Sequence, residues 1–411
     1  MVGLVFVVSA HGVPADSRRV SNFELLFDLV FVFAFTQVTG IMIRGHEVDH
    51  HAALPVLEAI TVLGLLWGVW TSYGWFANQA RVDRPLLRLG LAIAMVFVFV
   101  AALAVPNAFH AAGGDPRSAT VFVVCFAAVR VLHGVLFFRA AEGDPGLRRQ
   151  ILITDWSTLP ATIAVLIVGA LLGGAAQVWI WFGALVIDAV IVAVTSLGGS
   201  WRIHSPSHWA ERFNLVVMLA LGESVVSIGV GVASRPLLWQ VVVGAVLAIV
   251  GAITLWWLYF HRISRGSEHA LAARTGTDRV DAATVGYTYL HYPIVAGIIL
   301  TATGIELTMQ WVASPTPLGW FGAAALAGGA SLYQAATVFF WWRLTGTWLW
   351  PRLVVATALV PGVVIAAVLP PLAALGIAVT LGIALNLIEA RVPLAGGVAR
   401  GVGLPEPEVG P

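Results

Sequence analysis

Residues 21–35 read SNFELLFDLVFVFAF. The run is apolar enough to enter a bilayer, yet it carries two carboxylates, Glu24 and Asp28, into it. Four residues apart, these acids share one face of a helix. Acids are costly inside hydrocarbon, so such a pair marks a functional position by default. The stretch makes the protein helical and membrane-embedded, and it sets the question that the rest of the chain must answer: what partners do these acids have?

Of the 411 residues, 59% are hydrophobic and 10% are charged. Apolar runs of about 20 residues, the length that spans a bilayer, recur from end to end. A soluble chain of this size could not hide so much apolar surface. The expected fold class is therefore all-α, a polytopic integral membrane protein with about 12 transmembrane helices. Hydropathy places the spans near 22–43, 54–76, 86–105, 119–139, 152–172, 177–197, 211–231, 236–260, 284–306, 318–342, 352–369 and 371–390. The longest polar connection is expected from His261 to Ala283.

A net charge of +1 argues against a nucleic-acid partner. Every basic residue is Arg, and the single cysteine, Cys125, excludes a disulfide framework within the chain. The apolar run Met1–Ala10 is short and lacks a basic flank, a weak match to a secretory signal, which leaves open whether residues 1–17 belong to the mature protein. With the N-terminus cytoplasmic, eighteen arginines fall on inner segments and three, Arg44, Arg117 and Arg235, on outer loops. The bias puts both termini inside.

The two halves resemble each other. At an offset of 186 residues, Asp28 aligns with Asn214, Gln37 with Glu223, Trp70 with Trp256 and Tyr73 with Tyr259. The expected organisation is an N-terminal tail (1–20), two parallel six-helix repeats (21–200 and 201–392) and a C-terminal tail (393–411). Sites in such proteins tend to lie near the midplane between repeats.

Several polar residues then fall inside the membrane. Glu223 lies roughly 18 Å into the seventh span at 1.5 Å per residue, with Arg130 and Asp188 at similar depth. Arg130 and His133 share a face, and Arg130 is expected to pair with Asp188 or Glu223, since a lone guanidinium there is very unfavourable. Glu223 has no charge of like depth on its own helix, which suits a proton carrier. His208 and Arg212 share a face at the start of span seven, where Glu211 and Arg212 read as interfacial anchors. Tyr289, His291 and Pro293 suggest a kinked helix lining a polar path. The aromatics around Trp67 and Trp70, and around Trp256 and Trp257, read as an interfacial belt or a cation–π site. Gly173-Gly174 and Gly328-Gly329 are expected to allow close helix packing.

The candidate proton-transfer residues are thus Glu24, Asp28 and Glu223. The candidate substrate-binding residues are Arg130, His133, Asp188, Tyr289, His291, Trp70 and Trp256, with Asp28, Arg130, Asp188 and Glu223 meeting in one internal pocket. No cofactor is expected, because phosphate-binding Gly loops, CxxC pairs and HExxH are absent. No metal site is expected either: His46, Glu47, His50 and His51 in the first outer loop lack fixed ligand spacing.

Glu24–Val32, His208–Phe213, Leu219–Val226, Trp256–Phe260 and Tyr289–Gly297 together resemble the bacterial low temperature requirement protein A (LtrA) family. One departure is His261, where the resemblance implies an acid. The resemblance implies a multi-span protein of a bacterial inner membrane; the family name records a growth phenotype, so activity must be argued from the site.

Three functions compete. A secondary transporter, proton-coupled, moving a small anionic or amphipathic solute, fits the duplicated halves and the midplane charges. An intramembrane enzyme acting on a lipid or isoprenoid fits the acid pair amid aromatic rings. An ion channel or sensor lacks a repeated polar ring. The expected partners are a small or lipid-like substrate and membrane lipids, and a homo-oligomer is compatible.

Overall fold

The computed structural model describes residues 19–48, 53–79, 85–109, 115–196, 199–233 and 236–392. Most of both expected tails, and His50 and His51 of the first outer loop, lie outside the described residues.

Among the described residues, twelve helices are long and apolar enough to cross a membrane: α1 (Asn22–His46), α2 (Ala53–Gln79), α3 (Pro85–Asn107), α4 (Pro116–Ala140), α5 (Pro145–Leu172) and α6 (Gly174–Ser196). They continue as α7 (Pro206–Val232), α8 (Trp239–Ala272), α9 (Gly276–Gln310), α10 (Gly319–Thr345), α11 (Trp350–Val368) and α12 (Pro371–Arg391). There is no strand among the described residues.

Helix starts are written in the sequence. Ser21 and Glu24 form a capping box: Ser21 Oγ accepts from the Glu24 N–H at 3.3 Å, and Glu24 Oε2 accepts from the Ser21 N–H at 2.8 Å. Asp115, Asp144 and Ser205 cap α4, α5 and α7, each followed by a proline in the first turn, where no N–H is needed.

The polar connection expected over His261–Ala283 is mostly helical. α8 runs on to Ala272 and α9 begins at Gly276. Arg274 and Asp278 pair at 2.9 Å one turn apart, and Arg279 donates to the carbonyls of Ala272 and Arg274, so polar side chains satisfy the helix ends that hydropathy marked as loop. π-helical turns occupy Tyr259–Ile263, Ala283–Tyr289 and Ala324–Gly328. The second ends two residues before His291, so the break expected near Pro293 takes the form of a widened turn.

In the first six helices α1 packs on α2 and α3, α2 on α6, and α3, α4 and α5 each on the next. In the last six α7 packs on α8 and α9, α8 on α12, and α9, α10 and α11 each on the next. The two groups meet where α1 and α2 contact α7 and α9.

Close approach is made by Gly297, Gly304 and Gly329. A methyl on Gly304 would stand 2.3 Å from the Leu326 nitrogen, so α9 and α10 touch backbone to backbone. Gly173 and Gly174 do not serve packing. Both have positive φ, 65° and 59°, and form the turn between α5 and α6.

The aromatic residues of α2 are not a belt. Trp67, Trp70, Tyr73 and Phe76 are buried, whereas Trp256 and Trp257 of α8 are exposed on the outer face of the bundle.

Candidate functional site

Among the largest fully buried side chains are two arginines, Arg212 and Arg352. Arg212 lies on α7 and faces the acids of α1. Its Nη2 donates to Asp28 Oδ1 at 2.7 Å, and its Nη1 lies 3.9 Å from Glu24 Oε1. One turn back, His208 Nε2 lies 3.1 Å from the same Glu24 oxygen. Glu24 and Asp28 on one helix thus face His208 and Arg212 on the other, rung for rung. Each rung joins residues 184 apart, so α1 and α7 run in the same direction. Outside the ladder, Glu211 accepts from the Val20 N–H at 2.9 Å and holds the chain entering α1.

α2 closes the ladder from the side. Trp70 Nε1 donates to Asp28 Oδ1 at 2.8 Å, and its ring lies under the Arg212 guanidinium at 5.3 Å. Burying charges without such partners would be prohibitive. Some capacity is left over: Asp28 Oδ2, Arg212 Nε and His208 Nδ1 are buried without a hydrogen-bond partner among the described residues. The cluster therefore has valences with which to change partners or pass a proton.

The second group lies between α2, α4, α5 and α6. Arg130 Nη2 meets Asp188 Oδ1 at 3.0 Å, as the depth argument expects. Thr158 and Ser72 accept further bonds from Arg130 at 3.3 Å, and Thr162 donates to Asp188 at 3.1 Å. His133 Nε2 lies 3.0 Å from the Ser72 carbonyl, which can only accept, so this nitrogen carries the hydrogen.

Glu223 stands apart. It accepts from the Thr36 hydroxyl of α1 at 2.7 Å, and among the described residues no Arg or His is within ion-pair distance of it. His291 belongs to a fourth group: Tyr259 Oη lies 2.7 Å from its Nε2, and its Nδ1 faces the Gly286 carbonyl at 3.3 Å. That carbonyl fixes the hydrogen on Nδ1, so the tyrosine donates. Phe213 spans the gap to the ladder, with ring centroids 5.0 Å from Trp70 and 4.9 Å from His291. Tyr289 is half-buried at the end of the π-helical turn.

The single pocket expected for Asp28, Arg130, Asp188 and Glu223 is thus not formed. Asp28 pairs with Arg212, Arg130 with Asp188, and Glu223 with a hydroxyl. Trp70 joins the ladder; Trp256 stacks on Phe260 at the surface. Arg212, read as an anchor, is 2% exposed and is the chief partner of the acids. The signal was present in the matched spacing of His208/Arg212 and Glu24/Asp28.

A buried two-point ion pair in the last six helices escaped the sequence reading. Arg352 holds both oxygens of Glu389 at 2.9 and 2.7 Å, and also reaches Thr337 and the Leu258 carbonyl. With all three guanidinium nitrogens engaged it ties α8, α10, α11 and α12 together.

Fold and site define a polytopic α-helical membrane protein with an ion-pair ladder buried between its first and last six helices. The chain belongs to the bacterial low temperature requirement A (LtrA) family, whose pattern matches residues 19–387. It is 31% identical over 335 residues to "Uncharacterized protein RA0937" of Rhizobium meliloti (strain 1021), covering 79% of this chain and 77% of that one.

Proposed function

We propose that the protein is a secondary transporter that couples movement of a small solute to protons. The observation that carries this reading is the Glu24/Asp28–His208/Arg212 ladder between α1 and α7. A bundle that alternates between two openings needs an interface that can break and re-form. Ion pairs with unused donors and acceptors suit that role, and a rigid apolar seam does not.

The neighbour relations support a parallel repeat, with residues 21–200 and 201–392 as its units. α1–α2, α1–α3 and α2–α6 in the first six helices correspond to α7–α8, α7–α9 and α8–α12 in the last six. The caps Ser21 and Ser205 are 184 residues apart, two short of the offset at which the side chains match. With the arginine bias placing both termini in the cytoplasm of a bacterial inner membrane, the ladder guards the inner end. Glu223, with no cation within ion-pair distance among the described residues and its carboxylate held by the Thr36 hydroxyl, serves as the proton carrier. The acid pair that would favour chemistry on an isoprenoid is already held by Arg212 and His208, which suits ion pairing better than protonation of an alkene.

The test is flux in proteoliposomes holding the full chain and an entrapped pH dye. Gradients of small anions and amphipathic solutes are imposed in turn. At least one should drive proton movement, and Glu223→Gln should abolish the proton signal while solute exchange continues. Absence of flux for every solute, or an undiminished proton signal in the variant, would overturn the reading.

A further inference from the structure

A groove of about 530 Å³ opens between α4 and α5 on the outer face of the bundle, lined by Val131, Val135, Leu152, Trp156 and Leu159. Its volume suits a drug-sized molecule. One wall carries a polar exception. Asp155 of α5 faces Gly134 of α4, where a methyl would stand 2.6 Å from Asp155 Oδ2. That oxygen is buried and has no hydrogen-bond partner among the described residues.

Asp155 and Ile151 also line a second, smaller cavity of about 60 Å³, with Ser72, Arg130 and His133 on its other walls. Asp155 therefore stands between the lipid-facing groove and the buried Arg130 cluster. Charges around it do not balance. Arg130 is taken by Asp188 at 3.0 Å, and His133 donates to a carbonyl. Arg139 lies at the rim of the groove, exposed, without an ion pair to Asp155. One carboxylate remains over.

We propose that this groove binds an amphipathic amine drawn from the bilayer, its ammonium on Asp155 and its alkyl body along α4 and α5. The apolar walls take the chain, and the unpartnered carboxylate takes the charge. Gly134, having no side chain, lets the Asp155 carboxylate lie against α4 at the wall of the groove. Resting on the transporter reading, this names the substrate class and a lateral entry; binding itself can be measured without transport.

The experiment is equilibrium binding of radiolabelled dodecylamine to the full chain in nanodiscs, with protein-free nanodiscs subtracted. Dodecanol and dodecyl sulfate serve as probes with the same tail. Saturable binding of the amine is expected, at least tenfold tighter than either. Asp155→Asn should weaken the amine about tenfold or more and leave dodecanol unchanged. Leu159→Trp, which fills the groove and keeps the acid, should exclude the amine even if Asp155→Asn does not fold. Equal affinity for amine and dodecanol, or full amine affinity in either folded variant, overturns the inference. Amine binding with no flux of any solute keeps the site and ends the transporter reading. Flux of other solutes without amine binding does the reverse.

Discussion

Asp28 Oδ1 accepts from two sides at once: from Arg212 Nη2 at 2.7 Å and from Trp70 Nε1 at 2.8 Å. One carboxylate oxygen thereby joins three helices, α1, α2 and α7. Removing Arg212 leaves a buried acid with only an indole for company. Arg212→Met should cost about 3–5 kcal/mol, read as a lowered unfolding midpoint in detergent micelles. The double replacement Asp28→Leu/Arg212→Met should recover most of that loss, because no buried charge is left unpaired. A double variant no more stable than the single one would show that the pair does not act as a unit.

Arg352 makes a two-point grip on Glu389 and reaches a carbonyl and a hydroxyl as well. Lysine keeps the charge but offers one compact ammonium. Arg352→Lys should lower stability by about 2–4 kcal/mol, and solute flux, per folded molecule, should be unchanged. Loss of flux at full folding would move this pair from scaffold to mechanism.

Two glycines provide a packing test with an internal control. In Gly304→Ala the new methyl meets the backbone of Leu326, at 2.3 Å from its nitrogen, and α9 and α10 must separate. The expected cost is about 1–3 kcal/mol. At Gly362 nothing lies within 4 Å of an added methyl, so Gly362→Ala should be neutral or stabilising by up to about 1 kcal/mol. Thermal midpoints of both variants, measured in one detergent, check the contrast.

Glu223→Gln retains an oxygen for the Thr36 hydroxyl, whose bond to Glu223 is 2.7 Å long. The unfolding midpoint should shift by no more than about 1 kcal/mol. A larger loss would mean that Glu223 holds the fold through its charge, and the proton-carrier assignment would lose its structural independence.

Length and polarity carried the fold class. Runs such as Leu91–Val100 and Val241–Val250 leave lipid as the only solvent, and Ser21/Glu24, Asp144 and Ser205 mark where helices begin. Local rules failed where a helix outlasts the apolar run. Arg274, Asp278 and Arg279 read as loop because they are polar, yet they cap and brace the ends of α8 and α9. They failed again at Trp67 and Trp70, where belt and core residues have the same composition and only burial separates them.

The sequence by itself determined that Glu24 and Asp28 share a face and need partners, and that Arg130 needs an acid at its own depth. Tertiary structure decided which cation serves which acid. Arg212 reaches Asp28 across 184 residues of chain, and Glu223 is left to a threonine. The physical reason is that an ion pair forms over a few ångströms. Helical periodicity fixes a residue's face and depth, but which two faces come together is set by the packing of whole helices.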